Sequence, residues 1–169
     1  MNILDVGCGK HKRGNIGIDY CKDSEADVIA DAHYLPFKDE VFDKVVSTVV
    51  LEHSPNPLNF LKEQYRVLKK GGKVELTTDN AQYFSWSVMV PGRGGIRHEN
   101  YHEDHFMIFY PKNVMRLMKL AGFKVESAYL VGRPIKTKAD PIVKILIACK
   151  IWRKECLYYR FKIVARKEN

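Results

Sequence analysis

The sequence predicts an α/β fold in which a mostly parallel sheet is covered by helices. Short apolar runs alternate with helical patterns through the first two thirds of the chain, which is the order of a parallel sheet with crossover helices. Several of these runs are continuously apolar, as strands buried on both faces should be. Two longer strand patterns near the end of the chain could pair antiparallel at one edge. Because the 169 residues contain no repeat and no linker, we expect residues 1–169 to form a single domain.

Five strands are predicted in the first half of the chain. In order, they are Ile3–Val6, Ile16–Tyr20, Val28–Ala30, Lys44–Thr48 and Lys73–Thr78. The first two are joined by only nine residues, 7–15, whereas a βαβ crossover normally needs about 10–12. The first crossover helix is therefore expected to be absent or reduced to a turn.

The helices are predicted from their start and stop residues. Asn56 and Pro57 are typical N-cap and first-turn residues, and the glycine pair that begins at Gly71 is expected to end that helix. A second helix is expected after Pro111, with Gly122 as its stop. The remaining predicted elements are two strands and the helix between them: Phe123–Val131, Pro141–Lys154 and Leu157–Arg166.

The composition is typical of a globular protein, with 46% hydrophobic and 28% charged residues. No apolar run approaches the ~20 residues of a membrane span, and the start of the chain lacks the pattern of a secretory signal. Four cysteines without a CxxC pair indicate reduced thiols rather than disulfides or a zinc cluster. We therefore expect a cytoplasmic protein.

Charge is unevenly distributed along the chain. The net charge is +8, yet residues 1–84 contain 11 basic and 13 acidic side chains, whereas residues 85–169 contain 17 and 7. A basic second half favours an anionic partner, such as nucleic acid, a phosphorylated metabolite or a lipid headgroup. A lysine-rich solvated surface would give the same counts, so both interpretations stay open.

The first three predicted strands each end in a residue that suits a nucleotide-type ligand. The first, ILDVGCG, ends in Gly7 and Gly9, where the backbone can turn sharply and let a ligand approach. The second ends in Asp19, whose carboxylate can accept hydrogen bonds from ribose hydroxyls, and the third in Asp31, which suits an exocyclic amine. A dinucleotide fingerprint is excluded because its third glycine would fall at Lys12.

Five motifs follow one another between residues 2 and 78. They are ILDVGCG, GIDY, ADAHYLPF, FDKVVSTVVLEH and EQYRVLKKGGKVELTT. In this order they resemble the class I S-adenosylmethionine-dependent methyltransferases, in particular the small type 11-like group of methyltransferase domains. The resemblance implies a Rossmann-like sheet of seven strands in the order 3-2-1-4-5-7-6, in which only the seventh strand is antiparallel. It also implies S-adenosylmethionine as cofactor and methyl transfer as the reaction.

The resemblance further implies which residues bind the cofactor. Asp5, Gly7 and Gly9 would line its methionine part, Asp19 would hold the ribose, Asp31 and Ala32 would meet the adenine, and Thr48, Val49 and His53 would flank it after the fourth strand.

Two departures from the family pattern concern the surroundings of that cofactor. The cationic run Lys10–Arg13 stands in place of the family's first helix. It could meet the cofactor carboxylate by charge, or it could be a solvated turn. The chain also begins at the first strand, without the helices that usually cover the site, which favours a large acceptor, a partner subunit or weak activity; a homo-oligomer also stays open.

The acceptor side is expected in the long loop after the fifth strand, Asp79–Tyr110, because ligands of open α/β sheets bind beyond the carboxyl ends of the strands. This loop contains His98, His102 and His105. We predict His102 and His105 as candidate general bases, since histidine titrates near neutral pH and a weakly acidic acceptor must lose a proton. Structural hydrogen bonding is the alternative role, and we expect no metal site because the reaction does not require one.

Three functions stay open at this point. The first is methyl transfer from S-adenosylmethionine to a small molecule or an anionic macromolecule. The absence of the first helix favours a cofactor-binding subunit without activity of its own. The basic second half favours a nucleic-acid-binding domain that reuses the fold.

Overall fold

The computed structural model describes residues 1–81, 105–132, 158 and 160–168. Within these residues, seven strands, two α-helices and one 3₁₀ turn follow one another along the chain. In order, they are β1 (Ile3–Val6), β2 (Ile16–Asp19), β3 (Val28–Ile29), β4 (Phe42–Thr48), the 3₁₀ turn (Leu51–His53), α1 (Pro57–Val67), β5 (Leu68–Asp79), α2 (Pro111–Leu120), β6 (Phe123–Val131) and β7 (Arg160–Lys167).

The strands form one sheet in the order β3-β2-β1-β4-β5-β7-β6. Neighbouring strands from β1 to β5 pair in parallel, whereas β7 is antiparallel to both β5 and β6. The expected α/β class, strand order and antiparallel edge pair are thus confirmed. Because β1 to β5 run in the same direction, their carboxyl ends lie along one edge of the sheet, which we call the carboxyl edge.

One prediction about α1 is wrong. The helix begins as expected, with the side chain of Asn56 accepting a hydrogen bond from the Asn59 backbone N–H, but it ends at Val67 and not at the glycine pair. Leu68 is already extended and fully buried, and it pairs with Phe42 of β4. Helical spacing alone could not show that Leu68 stabilises the protein more as the first residue of β5 than as a further residue of α1.

Two contacts fix the segments around α1. The Lys167 ammonium donates to the backbone carbonyl of Leu68 at 2.9 Å and so satisfies an acceptor where the helix passes into β5. The Arg66 guanidinium donates to the carbonyls of Leu35 and Phe37 at 2.9 and 2.8 Å, and it forms a two-point contact with the Glu63 carboxylate. The segment after β3 is therefore held against α1.

The core lies between the sheet and the two helices. Fully buried side chains of β1, β4, β5 and β7 pack with those of the two helices; among them are Leu4, Val45, Leu76, Ile163, Phe60 and Met118. In the part of the chain that the structure describes, no helix is long and apolar enough to cross a membrane. The predicted helix Pro141–Lys154 lies outside the described residues.

Candidate cofactor and acceptor site

A glycine turn follows β1 at the carboxyl edge. Gly7 and Gly9 have φ angles of +70° and +53°, in the left-handed region that favours glycine. A Cβ atom on Gly7 would lie 2.3 Å from Cγ2 of Val50, whereas a Cβ atom on Gly9 would meet nothing within 4 Å. Gly7 therefore has no room for a side chain, and Gly9 borders open space.

The Asp19 carboxylate lies directly against this turn. It is half-buried at the end of β2, where Oδ2 accepts a 2.9 Å hydrogen bond from the backbone N–H of Gly9. Its Oδ1 accepts another, also 2.9 Å long, from the N–H of Cys21. An ionised carboxylate offers about four acceptor positions, so each oxygen keeps one for a ligand hydroxyl.

Asp5 is fully buried in β1 and holds the segment that stands in place of the first helix. Its Oδ2 accepts a 2.6 Å hydrogen bond from the backbone N–H of Arg13, whereas Oδ1 is buried and accepts none from the described residues. Burial raises the pKa of Asp5, and the hydrogen bond from Arg13 opposes that increase. One oxygen of Asp5 thus has a structural role and the other is unsatisfied beneath the glycine turn.

The connection between β1 and β2 contains turns and no helix, as its length predicted. Within it, the Lys12 ammonium lies 2.9 Å from Asp27, and the Lys12 backbone N–H donates to Glu25. This ion pair favours a structural role for Lys12 over the expected contact with a cofactor carboxylate. Lys10 is exposed.

Asp31 follows β3 and is the most exposed carboxylate of the predicted site. Its Oδ1 accepts a 2.8 Å hydrogen bond from the backbone N–H of His33. The same oxygen lies 2.7 Å from the ring nitrogen Nδ1 of His33. These bonds, the backbone one foremost, lower the pKa of Asp31. The other ring nitrogen of His33, Nε2, lies 2.7 Å from Oγ of Ser54, so the Asp31 segment is connected to the end of the 3₁₀ turn. Ala32, between Asp31 and His33, is half-buried.

The chain turns sharply after β4. Val49 has a φ of +60°, which is rare and strained for a β-branched residue, and its N–H donates to the Thr77 carbonyl of β5 at 2.8 Å. Thr48 and Val49 are both half-buried at the carboxyl edge, as predicted. This turn carries the chain into the 3₁₀ turn that holds Glu52 and His53.

Three side chains from distant parts of the sequence meet beyond β4 and β5. The potential ligand atoms of Glu52, Asp79 and His105 all lie within 4.8 Å of one another. The His53 ring packs edge-on against the His105 ring, with centroids 4.4 Å apart. Nε of Arg160 on β7 lies 3.0 Å from Oδ1 of Asp79 and balances part of the negative charge. We call Glu52, Asp79 and His105 the acidic-histidine cluster.

Glu52 is fully buried although it carries a carboxyl group. Its Oε2 accepts a 2.7 Å hydrogen bond from the Thr78 hydroxyl, while Oε1 is buried and accepts none from the described residues. Burial raises the pKa of Glu52 to about 7, although the Thr78 hydrogen bond favours the ionised form.

Backbone hydrogen bonds hold His105 beside Glu52. The Glu52 carbonyl accepts hydrogen bonds from the N–H groups of Phe106, at 2.9 Å, and Met107, at 3.3 Å. A further bond, 2.9 Å long, runs from the N–H of Ala81 to the Phe109 carbonyl. The segment that precedes α2 is thus joined both to the 3₁₀ turn and to the end of β5, which fixes the cluster.

The structure brings the predicted residues together in two groups. Asp5, Gly7, Gly9 and Asp19 adjoin one another, and His53 contacts His105. His102, the other predicted base, lies outside the described residues, as does His98. Sequence analysis missed Glu52, Asp79 and His33 as site residues; the position of Asp79 at the end of a strand was the signal that could have indicated it.

Comparison with known proteins agrees with this architecture. Residues 4–76 match the family model described as "Methyltransferase domain". These residues contain the glycine turn, Asp19, Asp31 and the end of β4. The chain thus has the fold of the S-adenosylmethionine-dependent methyltransferases, and its residues 4–76 match a methyltransferase domain.

Relatives of this methyltransferase domain are found among curated proteins and solved structures. A probable S-adenosylmethionine-dependent methyltransferase of Mycolicibacterium smegmatis is 30% identical over an alignment of 144 positions that covers 74% of this chain and 52% of that protein. A SAM-dependent methyltransferase from Archaeoglobus fulgidus has a TM-score of 0.73 at 18% identity, with 98% of this chain and 85% of that one covered. The methyltransferase domain described here thus spans about half the length of several curated relatives.

A second solved structure contains a partner. It is a Haloferax volcanii complex between the Trm112 methyltransferase activator and a protein described as a methyltransferase. The match has a TM-score of 0.66 and 15% identity, and it covers 99% of this chain and 82% of that one. At this identity the likeness concerns the fold alone.

Proposed function

We propose that this protein binds S-adenosylmethionine and transfers its methyl group to an acceptor held at the carboxyl edge. The observation that carries the proposal is the hydrogen bond between Gly9 and Asp19, which holds the Asp19 carboxylate against the glycine turn. The leaving group of a sulfonium is already activated, so the protein mainly has to position the acceptor atom.

The proposed cofactor site follows the carboxyl ends of four strands. The methionine part lies along Asp5, Gly7 and Gly9, the ribose at Asp19, the adenine at Asp31 and Ala32, and the remaining flank at Thr48, Val49 and His53. Two features support the adenine end. Both hydrogen bonds from His33 go to Oδ1 of Asp31, and the carboxylate is exposed, so its other oxygen can accept from an exocyclic amine.

The acceptor is proposed to bind beyond β4 and β5, with His102 or His105 accepting its proton where it is weakly acidic. The position of His105 in the acidic-histidine cluster supports this side of the site. We further propose an anionic acceptor, because the basic second half of the chain would attract one. A partner subunit that covers the site is proposed by analogy with the activator complex.

Calorimetry with S-adenosylmethionine and S-adenosylhomocysteine tests the cofactor proposal. Replacing Asp19 by alanine should weaken binding by roughly 1–3 kcal/mol, because the ribose hydroxyls lose a charged acceptor. Asp23→Ala is the matched control, since it removes an exposed carboxylate four residues further along. Thermal unfolding of each variant shows whether it is folded. If the unmodified chain binds neither ligand, the proposal is wrong.

Labelled cofactor and a fractionated cell extract test the acceptor proposal. Aliquots of the extract are treated with ribonuclease or protease before the reaction. If label is lost only after ribonuclease treatment, the acceptor is RNA. The logarithm of the RNA-binding constant should then fall by about 0.7–0.9 for each tenfold increase in salt and each phosphate contacted. Label in a neutral small molecule would contradict the anionic acceptor. Cofactor binding without any labelled product would favour a subunit without activity of its own.

A further inference from the structure

We propose that the acidic-histidine cluster binds a divalent metal ion through Glu52, Asp79 and His105. The proposal rests on the proposed function, because it identifies what holds the acceptor at that site. The sequence led us to expect no metal site, because methyl transfer does not require one. The structure instead combines one histidine with two carboxylates that lie 53 and 26 residues earlier in the chain.

The three side chains of the cluster offer a set of donor atoms that suits a divalent metal ion. Two carboxylates and an imidazole offer hard oxygen ligands and one borderline nitrogen ligand, a combination that suits Mn²⁺ or Zn²⁺. Their ligand atoms lie within 4.8 Å of one another. Ligand atoms about 2.0–2.2 Å from a shared ion are at most ~4.4 Å apart, so small side-chain movements would complete the site.

The second argument is the unsatisfied oxygen of Glu52. The residue is fully buried, its Oε2 is bonded to Thr78, and its Oε1 accepts no hydrogen bond from the described residues. A buried carboxylate oxygen without a partner is costly, and a bound cation removes that cost.

The third argument is that each carboxylate is already held by one of its oxygens. The Thr78 hydroxyl bonds Oε2 of Glu52, and Arg160 bonds Oδ1 of Asp79. Metal-binding carboxylates are commonly oriented in this way by outer hydrogen bonds, while the other oxygen coordinates the ion. The backbone hydrogen bonds from Phe106 and Met107 to the Glu52 carbonyl hold the third ligand in place.

The site has a direct consequence for the acceptor. An ion at the carboxyl edge would bind an acceptor hydroxyl and lower its pKa, so that its proton passes to a base. The oxygen would then form a bond to the sulfonium methyl carbon while the S–CH3 bond breaks and S-adenosylhomocysteine leaves. The acceptor class is therefore a hydroxyl compound. His105 would then hold the ion, and of the two predicted bases only His102 would remain for the proton.

Titration of the full chain with Mn²⁺, followed by the electron paramagnetic resonance signal of the free ion, tests the site. We expect one saturable site per chain, at least about tenfold weaker in Glu52→Gln and in Asp79→Asn. Glu75→Gln is the control, because this half-buried carboxylate pairs with Lys44 and Lys162 and should leave the affinity unchanged. Titration with Zn²⁺, followed by calorimetry, should rank the metal affinities of the variants in the same order.

Circular dichroism shows which variants are folded, and Asp79→Asn keeps the test decisive if Glu52→Gln does not fold. The metal proposal is overturned if neither ion binds saturably, or if both ligand variants bind as well as the control. Binding of S-adenosylhomocysteine is measured in the same preparations with a chelator present. Cofactor binding without a metal site contradicts only this inference, whereas a metal site without cofactor binding contradicts only the proposed function.

Discussion

Replacing Gly7 by alanine should destabilise the protein much more than the same change at Gly9. Both positions have positive φ, and the left-handed conformation costs an alanine roughly 1–2 kcal/mol, partly offset by about 0.4–1 kcal/mol from the stiffer unfolded chain. Only at Gly7 would the new Cβ lie 2.3 Å from Cγ2 and 2.9 Å from Cγ1 of Val50. Overpacking of this kind typically adds about 1–3 kcal/mol. We therefore expect a loss of about 2–4 kcal/mol for Gly7→Ala and about 1 kcal/mol for Gly9→Ala.

A double-mutant cycle separates the steric contribution from the backbone contribution. Val50→Ala removes both methyl groups that the new Cβ would meet, so Gly7→Ala should cost about 1–3 kcal/mol less in that background. The assay is urea unfolding of the unmodified protein, the two single variants and the double variant. Their free energies of unfolding are compared with the same slope of free energy against urea concentration. Equal losses at the two glycines, or no coupling between Gly7 and Val50, would show that the close approach does not constrain the turn.

Two further perturbations test groups that support the site. Arg66→Lys should lower the free energy of unfolding by about 1–3 kcal/mol, because an ammonium cannot serve the carbonyls of Leu35 and Phe37 together, and urea unfolding measures the loss. Burial raises the folded-state pKa of Asp5 above its unfolded value, so the protonated form stabilises the fold and that contribution is lost as pH rises through the folded pKa. Asp5→Asn should therefore gain stability relative to the unmodified protein as pH increases from about 4 through the raised folded-state pKa, and a pH-independent difference in urea unfolding would contradict this explanation.

Much of the fold could be predicted because its local signals agree with one another. Each local signal indicates one element, and that element is observed: strands at the apolar runs of β1 and β4, a helix start at the Asn56 cap and a helix end at the Gly122 stop. The end of α1 could not be predicted, because Leu68 fits the apolar face of the helix as well as the sheet. Its pairing with Phe42, 26 residues earlier, decides between them, and such a contact has no local signal.

The cofactor side of the site was predictable for a different reason. Gly9 follows β1 and Asp19 ends β2, and neighbouring parallel strands deliver their ends to one edge, so strand order alone brings Gly9 and Asp19 together. The acidic-histidine cluster was not predictable in this way. Glu52 belongs to a 3₁₀ turn rather than a strand end, and His105 reaches it through backbone hydrogen bonds of a segment with weak periodicity.

Several features that oppose stability lie at or near the carboxyl edge. Gly7 closes a turn that admits no side chain, and Val49 is a β-branched residue with positive φ. Asp5 lies within β1 and Glu52 in the 3₁₀ turn after the neighbouring β4, and among the described carboxylates these two have an unsatisfied buried oxygen. Each such feature costs of order 1–3 kcal/mol in a folded protein, and the surrounding sheet has to support them together. Burial alone gives no reason for two unsatisfied carboxylates beneath one surface, whereas a sulfonium ligand above β1 and a metal ion beyond β4 would each supply the positive charge that these groups lack.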